Sequence, residues 1–457
     1  MAVKLKRDFN LVALKVTLQA RGEAARVLVE LEITEQHEPQ TVWSTTVPAE
    51  DMGVEADTGK GRPDAGVDGF RLPPAIGAAI TGVLGDAHYE GPVWLHLVKP
   101  YGVLGAVPWE RLLASVPHPL LRLPDALADR PVENTRQLDV VLCASRPLSD
   151  QAFDIPRTLA RMAETIVAAV EGRRVRVHVF ADLDCFQELE QRLGATGLLG
   201  QNVLIQHPDT ALAAQASRGR AERARADALT SPWLAWIQGA LGHTSVDVVH
   251  FVCHGYLADR RGALAFAESP VRNQDPDWCR FVQGGELGRF MLRVGAWSIA
   301  FTSPVGNYSE FGLRALADEF AQVRPGPVLY HEQREDPDLA QLGHVYRFLY
   351  SSERRPPAPA PALALCCQPA MLPQPEGVEP PRVSAVTASA IGDLDEVPAW
   401  IASAQRFIEQ KEYEVSRIKR ATDRLGTKAP SNVQGIERGV DEIKLALERL
   451  ARKGLLR

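Results

Sequence analysis

Cysteine is scarce in this chain. Six residues, Cys143, Cys185, Cys253, Cys279, Cys366 and Cys367, are scattered over 457 positions with no CxxC pair. That excludes a disulfide framework and argues against a cysteine-based metal site. Long apolar runs are also missing. No stretch approaches the ~18 to 20 continuous apolar residues that a bilayer span needs, and the opening MAVKLKRDFNLVAL lacks the apolar core and cleavage site of a secretory signal. A cytoplasmic protein with no membrane partner is expected. Nor is there an excess of one charge: 51 Lys and Arg stand against 57 Asp and Glu, a formal net charge of -6. A phosphate-binding surface normally carries a basic excess, so nucleic acid is not expected as a partner. The Gly-Lys-Gly-Arg at 59–62 lacks the upstream glycine and the Ser/Thr of a phosphate loop, and no repeat of 20 to 50 residues is visible. No cofactor and no metal is implied.

What is present is ordinary globular material, 45% hydrophobic and 24% charged, in a chain long enough for about three domains. Composition divides it into four. Residues 1–136 hold strand-like runs such as ARVLVELEIT and GPVWLHLV around a Gly/Asp/Pro-rich loop. Residues 137–370 alternate short apolar runs with helix-length segments, the pattern of a mostly parallel α/β sheet with helices on both faces. Its strands are predicted at 138–145, 174–182, 246–255, 297–303, 326–332 and 361–368. Between the second and third, the run carrying Arg218, Arg220, Arg223 and Arg225 reads as a solvated helix. The amphipathic stretch after it buries Trp233 and Trp236. Residues 371–393 are a Pro-rich linker, and 394–457 are two charged helices around the breaker GTKAPSN, a helical hairpin.

In an open parallel sheet, reactive groups belong at the carboxyl ends of the strands. The third strand, VDVVHFVCHG, ends in His254 and Gly255. A histidine there serves as general base or acid near neutrality. The glycine permits a tight turn that leaves its N–H free for an oxyanion. Taken alone, the pair reads equally well as a buried strand end hydrogen-bonded to backbone.

The surrounding motifs separate those readings. HFVCHG resembles the histidine motif of CHAT domains, caspase-like peptidases of the clan that includes caspases and separase. PWERLL (108–113) resembles that family's upstream signature. ALAFAES followed by GGELGRFMLRVGAWSIAFTSPVG resembles the approach to its catalytic cysteine. The resemblance spans about 100–370. It implies a caspase-like six-stranded sheet and an endopeptidase acting on a protein or peptide substrate, in bacterial defence or regulated proteolysis. The N-terminal region and C-terminal hairpin would then be regulatory parts that bind a partner protein. Aligned on Gly306, the nucleophile position is Ser303. A hydroxyl is far less acidic than a thiol, so cysteine-peptidase geometry activates it poorly. Three readings stay open: a natural pseudopeptidase, a replaced catalytic cysteine, and a working serine. A non-enzymatic adaptor is the rival to all three.

Cys253, preceding His254 on the strand, points to the opposite face and reads as a buried hydrophobe. In caspase-like enzymes the loop beyond the fifth strand shapes the pocket for the residue before the cut. Here it is HEQREDPD, and Glu332, Glu335, Asp336 and Asp338 would favour Arg or Lys in a substrate. A solvated acidic loop before a helix is the other reading.

Overall fold

The computed structural model describes residues 11–372, apart from 22–23, 36–37, 55–68, 100, 125–135, 148–152, 212–228, 243, 259–260, 272–278, 306–309 and 354, together with Val433. The arginine run at 218–225, Gly306, most of the linker and the expected hairpin lie outside the described residues. Strands β1 (Leu11–Arg21), β2 (Ala24–Glu35) and β3 (Glu38–Pro48) form an antiparallel meander. Val27, Val29 and Leu31 alternate into its core, the period-2 pattern of a half-buried sheet. Then come α1 (Pro74–Asp86), β4 (Val93–Val98), α2 (Trp109–Leu112) and β5 (Leu120–Arg122). The alternating part follows as β6 (Gln137–Ala144), α3 (Ile155–Ala169), β7 (Arg174–Phe180), α4 (Leu183–Ala195), β8 (Val203–Ile205), α5 (Pro232–Leu241) and β9 (Val248–Val252). After β10 (His254–Ala258), β11 (Arg261–Ala267) and β12 (Cys279–Gln283) come α6 (Gly284–Arg293), β13 (Ser298–Ser303), α7 (Glu310–Val323), β14 (Val328–Glu332), α8 (Ala340–Tyr350) and β15 (Leu363–Cys366).

The result is a mixed α/β fold around one mostly parallel sheet of twelve strands, in the order β3-β2-β1-β4-β5-β15-β14-β13-β9-β6-β7-β8. Each apolar run singled out between 138 and 368 contributes a strand. The expectation of six strands is nevertheless too small. β15 runs antiparallel to β14, and its other edge is taken by β5, so the N-terminal strands continue the same sheet. Pairing closes an edge that would otherwise offer unpaired backbone groups. Among the described residues no helix is long and apolar enough to cross a membrane.

Central strands are apolar throughout because both faces are covered. Leu138, Val140 and Leu142 of β6 pack into a core with α3, α4 and α8, while Val141 and Cys143 face a second core with α5, α6 and α7. Trp233 and Trp236 are fully buried in the second core, as expected. The connection leaving β6 runs by α3 over the first face, and the one entering β9 runs by α5 over the second. The crevice at the carboxyl ends of β6 and β9 is therefore the sheet's switch point, where open α/β sheets bind ligands.

The predicted strand 246–255 is broken. It leaves the large sheet after Val252, and His254 starts β10 of a separate antiparallel sheet, β10-β11-β12. This small sheet lies directly on α7. A Cβ at Gly262 would collide with the Gly312 carbonyl, and one at Gly312 would meet the Tyr256 backbone. Only glycines let these two backbones touch. The strand carrying His254 is thus fixed against the helix that follows Ser303.

Candidate functional site

Ser303 closes β13, one residue beyond the Thr302–Val252 pairing with β9. The Cys253 N–H donates to the Thr302 carbonyl at 3.3 Å. Ser303 and His254 therefore come from the carboxyl ends of adjacent central strands. The His254 ring is half-buried and meets Phe153, next to α3, edge-on at 5.7 Å. Ser303 is 1% exposed, and its Oγ has no hydrogen-bond partner among the described residues. A nucleophile–base hydrogen bond is not formed. Gly255 lies inside β10 opposite Leu264 with negative φ, in extended backbone rather than a tight turn. Cys253 is fully buried in the second core, away from the His254 ring, and burial pushes its thiol well above the ordinary range.

Strand alternation puts Ser303 on the same face as Phe301, Tyr330 and Glu332. That face is charged. Arg314 of α7 reaches Glu332 at 3.5 Å and Glu110 at 3.5 Å, with its guanidinium 4.3 Å over the Tyr330 ring. Arg111 pairs with Glu332 at 3.6 Å. Glu110 also accepts two hydrogen bonds from Arg122, at 2.6 and 3.1 Å. Glu310, at the start of α7, is held up to about 7 by burial and by the neighbouring Glu332 carboxylate. The Glu-Arg of PWERLL thus joins the charged cluster on the Ser303 face through Glu332 and Arg314, a link that sequence spacing cannot show. Below it, Tyr101, Arg122, Arg314, Asp318 and Tyr330 line a cavity of about 30 Å³, room for one water.

The acidic loop serves mainly to start α8. Asp336 accepts the N–H groups of Gln341 and Leu342 at 3.2 and 2.9 Å and lies 3.3 Å from His331. Burial alone would raise its carboxyl; the neighbouring His331 and the bonds from the helix N–H groups outweigh that and lower it. Glu332 is consumed by its arginines. Glu335 and Asp338 are exposed, and Asp338 accepts the Ala340 N–H at 3.3 Å.

On the opposite face of the sheet, directly behind Ser303, is a buried polar relay that sequence reading missed. His250 Nδ1 lies 2.8 Å from the Tyr346 hydroxyl, and its Nε2 lies 2.7 Å from Thr302 Oγ1. Thr302 Oγ1 lies 3.1 Å from His331 Nδ1, and His331 Nε2 faces Asp336. One direction runs through the three bonds: Tyr346 donates to His250, His250 to Thr302 and Thr302 to His331. His331 Nε2 then faces Asp336 at 3.3 Å without forming a hydrogen bond, and the α8 N–H groups donate to Asp336. The path starts and ends on α8, forming a ring that ties it to β9, β13 and β14. Burial, then the neighbouring His331, pushes His250 down to about 3. The first histidine of HFVCH, His250, an even number of residues before His254, was the available sequence signal.

At the switch point itself, the N–H of Ala267 donates to Ser145 Oγ at 2.9 Å, and Arg146 donates to the Phe153 carbonyl at 3.1 Å. Asp182, 7% exposed, has its carboxyl raised to about 8 by burial, against the pull of Arg146. Among the described residues, no group of three or more His, Cys, Asp or Glu is arranged to hold a metal ion. All six cysteines are free thiols, and burial raises five of them. None of those five is an activated nucleophile. No family model matches the chain, and no curated protein matches it.

Proposed function

We propose that the chain is a caspase-like peptidase scaffold of the CHAT type, with its reaction centre at His254 and position 303, which in this serine form holds a polypeptide without cutting it. One observation carries the reading: His254 and Ser303 come from the carboxyl ends of adjacent strands, beside the switch point of a parallel sheet. The strand run β7-β6-β9-β13-β14-β15, with helices on both faces, supports the caspase-like part of it. The burial of Ser303, 1% exposed, favours holding over cutting.

With cysteine at 303, the thiolate would attack the scissile carbonyl carbon. His254 would hold the thiol proton and return it to the leaving amine. The N–H groups of Gly255 and residue 303 would face the oxyanion. Of the acidic loop, Glu335 and Asp338 remain open to solvent and supply a preference for Arg or Lys. The N-terminal strands and residues 394–457 are the regulatory parts, docking a partner protein.

The test is Ser303→Cys. The variant should be labelled by an epoxide thiol probe at residue 303, and His254→Ala in the same background should abolish the labelling. A folded Ser303→Cys protein that is neither labelled nor cleaves a polypeptide would leave the adaptor reading in its place.

A further inference from the structure

We infer that the outer edge of the small sheet is a binding shelf for an extended polypeptide, which adds as a strand beside β12 and seats an apolar side chain on Tyr256 and Phe281. The inference rests on the reading of His254 as part of a polypeptide-handling centre and says how the polypeptide is held.

One face of the small sheet is core. Leu264, Phe266 and Val282 are fully buried among the side chains of α5, α6 and α7. Directly opposed residues share a face, so the other face carries two cross-strand rows: His254, Ala265 and Phe281, then Tyr256, Ala263 and Gln283. The middle strand supplies only alanines to those rows. Tyr256 and Phe281 therefore lean over them from both sides and stack at 4.2 Å, 29° between planes. They cover Ala263 and Ala265, which are 4% and 5% exposed, yet remain 46% and 45% exposed themselves. Half-exposed stacked rings on a rigid sheet give a large apolar contact area at little cost in side-chain freedom.

Among the described residues the edge beside this shelf is unpaired. β12 pairs with β11 alone, and no described strand takes its outer side. Its outward residues, Cys279, Phe281 and Gln283, carry neither charge nor proline, and its one charge, Arg280, lies on the opposite face across from Phe266. Such an edge offers main-chain hydrogen bonds for affinity, while alternate side chains of the incoming strand read the shelf. His254 lies in the same row as Phe281, two strands away, at roughly 10 Å from two spacings of ~4.8 Å. A segment laid on the outer side of β12 lies one spacing farther out, roughly 14 Å from His254, so the shelf holds the polypeptide beside the reaction centre and an adjoining stretch of it must turn inward to reach His254.

The experiment pans a phage-displayed library of random 12-residue peptides against the intact chain. Synthetic copies of enriched peptides are then measured by fluorescence polarisation. Enriched peptides should share an aromatic or branched apolar residue. Phe281→Ser or Tyr256→Ser should weaken them at least tenfold, Phe281→Leu much less, and Val305→Ser, at another exposed apolar position, not at all. N-methylation of alternate peptide amides should also abolish binding. Circular dichroism and thermal melting establish that each variant is folded. Enrichment of no peptide, or equal binding to folded Phe281→Ser, overturns the shelf. Shelf-dependent binding with no labelling of Ser303→Cys keeps the shelf and removes the peptidase reading; labelling without peptide binding does the reverse.

Discussion

Replacing Thr302 by valine keeps the shape of the side chain and removes one hydroxyl, so it isolates the buried ring behind Ser303. Thr302 Oγ1 accepts from His250 Nε2 at 2.7 Å and donates to His331 Nδ1 at 3.1 Å. Both histidines and Thr302 are 0% exposed, so water cannot take over either bond. Each orphaned buried polar group costs about 1–3 kcal/mol, and Thr302→Val therefore destabilises by roughly 2–6 kcal/mol with no cavity to add. Thr302→Ser makes the opposite change. It keeps the hydroxyl and loses one methyl, at a cost of about 1 kcal/mol. Against a total stability of ~5–15 kcal/mol the two are well separated. Urea unfolding followed by far-UV circular dichroism, with slopes compared to confirm a common transition, gives both differences. A valine variant as stable as the serine variant would refute the ring as a structural element.

Asp182→Asn should leave stability unchanged below about pH 4 and raise it increasingly up to about pH 8, with a constant gain above. The folded chain holds the carboxyl proton up to about pH 8, whereas the unfolded chain releases it near 3.8, so native stability falls as pH rises through that window. Urea midpoints at pH 4, 6 and 8 check the sign. Arg314→Leu removes a guanidinium 2% exposed and shared by Glu110 and Glu332. Glu110 keeps Arg122 and Glu332 keeps Arg111, so losing the shared guanidinium should destabilise by about 1–3 kcal/mol, measured by denaturant unfolding. Gly312→Ala drives a methyl into the Tyr256 backbone. It should lower the melting temperature and, in the Ser303→Cys background, slow probe labelling by displacing the strand that carries His254.

The large sheet was readable where burial on both faces makes a strand apolar without interruption: LDVVLCAS, VDVVHFV and WSIAFTS carry that signal in a few residues. The position of His254 at a strand end was readable for the same reason. Its departure into a second sheet was not, because that turns on two glycines, Gly262 and Gly312, meeting across 50 positions of chain. The twelve-stranded width was hidden too, since the join between β5 and β15 leaves no mark on the hydrophobic pattern of either strand. Thr302, His331 and Asp336 looked like a strand end and an acidic loop. Their meaning comes from neighbours in space, and side-chain chemistry at each position allowed several partners. Asp336 shows the limit well: its place in an acidic loop suggested a substrate contact or a solvated surface, and its bonds to the first turn of α8 were not legible there.

The join between β5 and β15 rests on a single paired position, Cys366 with Arg122, and the bond from the Cys367 N–H to the Arg122 carbonyl at 3.2 Å. Arg122 concentrates the polar bonding at that seam, since it also grips Glu110 and the carbonyls of Gly105 and Val107. Apolar packing closes it as well: Leu11, Ala13, Trp94 and Leu121 of the N-terminal strands share one core with β6, α3 and α8. The chain of charges from Arg122 through Glu110 and Arg314 ends on Glu332, the residue paired with Ser303, so the N-terminal strands are wired to the candidate site rather than merely set beside it.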